Sequence, residues 1–125
     1  MNGARHATIA EMLIETAETL ARNPRTALAA GELLWGAAYH GLAAADGHPD
    51  QEHRQPRTRR ELAQIIDRLP ISRQTQHGLR NGLRLTQRRL HDNFYSGQMS
   101  DDELAYEISV GVDLGRDLLR IANRL

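Results

Sequence analysis

The chain has no cysteine and no lysine, and only one tryptophan and one phenylalanine. The first absence excludes disulfides and thiolate metal sites, and leaves the compartment open. The second means that all sixteen basic residues are arginine. A genome biased towards arginine codons explains this more simply than selection for guanidinium forks on phosphate. No apolar run is long enough to span a membrane, and the opening Met1-Asn2-Gly3-Ala4-Arg5-His6 lacks the apolar segment of a signal peptide. The expectation is a soluble, cytoplasmic protein with no membrane partner. At 125 residues it has room for one domain, 1–125, with one real core.

Strand signals are as scarce as aromatics. Alanine, leucine, arginine and glutamate dominate, which predicts an all-α fold, an up-and-down bundle of four or five helices. The first helix runs near Ala7–Arg22, with Ile9, Leu13, Ala17 and Leu20 facing inward. Asn23 caps the second and Pro24 opens it. That helix, to about Ala45, is apolar nearly all round, so it belongs at the centre of the bundle. Gly31, Gly36 and Gly41 cost it helix propensity and make most sense where a neighbouring helix approaches closely.

A polar loop carrying two prolines, predicted to be mobile, spans 47–57. Thr58 with Glu61, and Ser100 with Glu103, form capping boxes that open the third and fifth helices. Leu69-Pro70 ends the third, and the fourth runs from Ser72 to about Tyr95. In the fifth, Leu104, Ile108, Gly111, Gly115, Leu118, Ala122 and Leu125 form a narrow seam, fit to face either the core or a second copy of the chain.

Charge is balanced overall and uneven locally. Ten arginines between Arg54 and Arg89 stand against Glu61 and Asp67, a surplus of +8, and the remainder carries −8. Such a layout fits an anionic ligand, or acidic and basic helices that pair with each other. The densest part is the end of the fourth helix. Leu79, Leu83, Thr86, Leu90 and Phe94 make a core-facing stripe, and Arg80, Arg84, Arg88, His91 and Tyr95 a second stripe at its edge. Guanidinium groups, an imidazole and a phenol on one rim have the chemistry to bind a phosphate and move a proton. The same groups could instead bond to acids on neighbouring helices. On the second helix, Glu32 and Tyr39 share a largely apolar face. A carboxylate there needs a partner, and an arginine of the fourth helix is the natural candidate. Trp35 reads as packing, and His40 as a satisfied buried histidine.

Two segments carry a family likeness. Leu34-Trp35-Gly36-Ala37-Ala38-Tyr39-His40 and Leu90-His91-Asp92-Asn93-Phe94-Tyr95 resemble the HEPN superfamily, in particular its small helical proteins of the PaREP type. His53-Arg54 falls where those proteins have a His-Arg pair. The likeness runs from about Ala29 to Leu119. It implies a helical bundle that dimerises. In active members an arginine and a histidine a few residues apart cleave RNA without metal, and two copies of the pair meet at the dimer interface. The ribose 2′-hydroxyl attacks the adjacent phosphate, with histidine in proton transfer and arginine stabilising charge. Here His91 takes the histidine position and Arg84 the arginine position, with six residues between them. Leu85 stands where a polar residue is usual, and Thr86 where the commonest spacing places the arginine.

The enzyme reading is therefore a prokaryotic, metal-independent endoribonuclease acting on RNA or nucleotide phosphates, the toxin half of a two-gene module with a cognate antitoxin. His91 and Arg84 would be catalytic, with Arg80, Arg88, Asn93 and Tyr95 binding. The competing reading is a homodimeric interaction protein in which the same edge makes salt bridges. No cofactor is expected. The six histidines show no i, i+4 pair or His-Glu-x-x-His spacing, so no metal site is expected either. There is no glycine-rich phosphate loop and no serine in a recognisable nucleophile setting.

Overall fold

The computed structural model describes residues 2–47 and 58–124. Apart from Gly47, the segment predicted as a mobile loop lies outside the described residues, as does the His53-Arg54 pair. The rest is helical: α1 (Gly3–Leu20), α2 (Pro24–Asp46), α3 (Arg59–Arg68), α4 (Arg73–Thr86), a π turn (Gln87–His91), α5 (Asp92–Ser96) and α6 (Asp101–Arg124), with no strand among the described residues.

The starts of α1, α2, α3, α4 and α6 are each fixed by a side chain that satisfies an otherwise orphaned N–H. Thr58 accepts from the Glu61 amide at 3.1 Å, and Ser72 from the Thr75 amide at 3.1 Å. Ser100 accepts from the Glu103 amide at 3.2 Å while its hydroxyl donates to the Glu103 carboxylate at 3.0 Å. Asn2 does the same for Arg5 at 2.9 Å, which is why α1 begins at Gly3 rather than near Ala7. The inward stripe of α1 is also offset from the predicted one. His6, Ala10, Ile14 and Ala17 are buried, whereas Ile9, Leu13 and Leu20 are half-buried.

Helix α2 is central, packed against α1, α6, α3 and the π turn. Its glycines explain how. Added at Gly31, a Cβ would meet Leu90 of the π turn at 3.2 Å; at Gly36, Leu13 of α1 at 3.2 Å; at Gly41, the Leu118 Cβ of α6 at 3.0 Å. Glycines five residues apart turn through about 140° each time, so every one faces a different neighbour. The core has two lobes joined along α2. One gathers Leu42, Ile66, Leu83 and Leu118, the other Ile14, Leu34, Leu90 and Ile108.

The α6 seam faces this core. Leu104, Ile108, Gly111, Gly115 and Leu118 are all buried. A Cβ at Gly111 would fall 2.8 Å from Leu90 and 3.2 Å from Leu34, and one at Gly115 would fall 2.9 Å from Ile14.

Candidate functional site

The fourth predicted helix is not continuous. Between α4 and α5, Gln87–His91 adopt the wider π winding. Such turns carry one residue more than an α-helix and often stand at functional sites. His91 is the last residue of the turn. In an unbroken α-helix, residues seven apart return to within about 20° of each other, so Arg84 and His91 would share a face. The extra residue rotates the face after the turn by roughly 100° relative to the face before it. As a result the predicted pair parts company.

His91 turns to α2. Its Nδ1 lies 2.9 Å from both carboxylate oxygens of Glu32. A carboxylate only accepts, so Nδ1 carries the proton, and in the neutral ring Nε2 is left as the basic nitrogen. Among the described residues, Nε2 has no hydrogen-bond partner. The imidazole and the carboxylate are each a little under one-third exposed, at 30% and 28%, so the pair is shielded but reachable. The ring also lies over Trp35, with centroids 5.5 Å apart and planes tilted by 30°. Tyr95 meets it edge-on at 5.7 Å. Glu32 thus finds its partner in the π-turn histidine, not in an arginine of the fourth helix.

Arg84 turns the other way. It is exposed, and its guanidinium donates to the Asn81 side-chain oxygen at 2.8 Å. It borders a groove between α3 and α4 together with Arg59, His77 and Arg80. No hydrogen bond joins Arg84 to His91 among the described residues. Arg80 is held by Asp67 at 3.1 Å. Arg88 is exposed at the mouth of a shallow groove that also involves Arg89 and Asn93, and Arg89 leans towards Glu107 at 3.9 Å. Tyr95 is 76% exposed.

Asn93, predicted to bind, is buried, and its side-chain oxygen accepts from the backbone N–H groups of Gln98 and Met99 at 2.9 and 3.1 Å. It therefore occupies the buried place predicted for Phe94, which is only half-buried. The tight turn into α6, where Gly97 is left-handed at φ +61°, requires an acceptor from below. Phenylalanine cannot supply one.

A second constellation has no sequence signal. His6 of α1 is fully buried, and its Nδ1 lies 2.8 Å from the Nδ1 of His40 on α2. One nitrogen must carry a proton and the other must not, so the bond requires at least one neutral ring. Burial pushes the His40 pKa below the usual histidine value. Beside it, burial and the nearby Glu61 carboxylate raise the Tyr39 phenol. The two histidines are 34 residues apart, and only the packing of α1 on α2 brings them together.

Among the described residues no helix is long and apolar enough to cross a membrane, and no three His, Asp or Glu side chains cluster as a metal site. Compared with known proteins, the chain matches no family model, no curated protein and no solved structure at a significant level.

Proposed function

We propose that this protein is an HEPN-like, metal-independent ribonuclease whose proton-transfer group is His91. The observation that carries the reading is the Glu32 carboxylate on Nδ1 at 2.9 Å. A carboxylate placed there fixes ring orientation and tautomer, and stabilises the imidazolium that forms when Nε2 takes a proton. In RNA cleavage Nε2 accepts the ribose 2′-hydroxyl proton, the 2′-oxygen attacks the adjacent phosphate, and the P–O5′ bond breaks, the 5′-oxygen taking a proton from solvent. A cyclic 2′,3′-phosphate remains. Arg88, exposed in the same π turn, suits the developing phosphate charge. The exposed Tyr95 ring offers a face on which a base can stack. Arg84 enters through the resemblance, which implies a homodimer in which a second copy completes the cleft; a cognate antitoxin would then cover it.

The test is cleavage of a single-stranded RNA in the presence of EDTA. His91→Ala and Glu32→Gln, with helicity unchanged, should abolish and strongly reduce it, respectively. Cleavage unaffected by His91→Ala, or none by the pure folded protein across pH and salt, would sink the proposal.

A second reading has its own support. The Glu32–His91 bond ties α2 to the π turn, as Arg68–Asp46 at 3.1 Å ties α3 to α2 and Arg116–Glu18 at 2.5 Å ties α6 to α1. In a non-catalytic interaction protein all of these are struts. Loss of stability without any RNA cleavage would favour that reading.

A further inference from the structure

The groove between α3 and α4 is built from two polar helix faces. On α4, His77, Arg80, Asn81 and Arg84 follow at spacings of three, one and three residues, which puts all four on one side. On α3, Arg59 and Ala63 stand one turn apart facing them. The floor is apolar, made by Ala63 and the buried Leu83, and the space is about 350 Å³. Among the described residues no carboxylate lines it. Arg80 is bonded to Asp67 at 3.1 Å.

Asn81 braces Arg84 at 2.8 Å through one terminal nitrogen, and Arg84 makes no ion pair among the described residues. Arg59 makes no ion pair among the described residues. Among the described residues, two guanidinium groups without carboxylate partners, a third held by one acid and an imidazole line the same groove. Guanidinium forks match phosphate oxygens in pairs. The volume exceeds that of a bare phosphate and falls in the range of small-molecule sites.

We propose that this groove binds a phosphomonoester carried on a flat, partly apolar group, with Arg59 and Arg84 gripping the phosphate. His91 does not line this groove. A nucleoside monophosphate and the 5′-phosphorylated end of an RNA both present this chemistry.

Calorimetry at constant ionic strength tests it with uridine monophosphate, uridine, and one short oligoribonucleotide in 5′-phosphorylated and 5′-hydroxyl forms. Uridine monophosphate and the phosphorylated oligomer should bind, and uridine should not. Arg59→Gln and Arg84→Gln should each weaken binding by about tenfold, while Arg22→Gln on another surface leaves it unchanged. Tighter binding of the phosphorylated oligomer than of the mononucleotide supports an RNA end as ligand, and the reverse supports a free nucleotide. His91→Ala should leave binding intact, which separates this site from the ribonuclease reading. Failure of both phosphorylated probes to bind, equal binding of the two oligomers, or affinity indifferent to Arg59→Gln and Arg84→Gln overturns the proposal.

Discussion

Glu32 and His91 stand 59 residues apart in the chain and meet at 2.9 Å through both carboxylate oxygens. The bond joins the central helix to the one place where the fourth helix leaves α geometry. Both side chains are partly shielded from water, so the interaction is stronger than that of an open surface pair. A double-mutant cycle with Glu32→Gln and His91→Ala should show a coupling of about 1 kcal/mol in urea unfolding. Strictly additive losses would mean that the two residues act independently.

The histidine pair between α1 and α2 predicts a pH dependence. Burial lowers the His40 pKa in the folded protein, so the folded state binds a proton less readily than the unfolded chain. Stability is then complete above the ordinary histidine value of about 6.5. It declines as pH falls from there towards the lowered value. Thermal melts across this window should show falling Tm, and His40→Gln should flatten the slope. A wild-type Tm that is constant between pH 7 and 5 would contradict this.

Asn93 should be needed for folding whatever the protein binds. Removing its side-chain oxygen leaves the partly buried N–H groups of Gln98 and Met99 without an acceptor. Asn93→Ala should cost about 2 kcal/mol. Asn93→Asp keeps the acceptor and should cost much less. Chemical denaturation distinguishes the two, and equal losses would show that the bonds are not what matters.

The glycines divide by what faces them. Nothing lies within 4 Å of a Cβ at Gly78, whereas one at Gly111 falls 2.8 Å from Leu90. Gly78→Ala should stabilise the protein by about 1 kcal/mol through helix propensity. Gly111→Val should destabilise it by about 2 kcal/mol, because α6 must move away from Leu34 and Leu90. Calorimetric melting of the two variants should move in opposite directions.

Much of this architecture is legible in the residues because local signals and packing agree. Asn23-Pro24, Thr58 with Glu61, and Ser100 with Glu103 mark helix starts by side-chain chemistry alone. The apolar girth of α2 announces its central place. What is not legible depends on contacts distant in sequence. The π turn has no composition of its own, so Arg84 and His91 read as neighbours on one face. The residues alone point Glu32 to an arginine of the fourth helix, yet its partner is His91, 59 residues away. His6 and His40 have no spacing that links them. Asn93 reads as a binding residue because the turn it supports lies beyond it in the chain.

The π turn also bears on how this chain tolerates changes in length. A helix that holds its contacts on both sides and still contains one surplus residue can give that residue up at the turn. Deleting a residue among Gln87, Arg88 and Arg89 would let the winding relax to the α form without rotating Leu83 or His91 from what they touch. Within α4 itself the same deletion would swing every later side chain by about 100°. This is the point in the sequence where relatives could differ by one residue and keep the same interior.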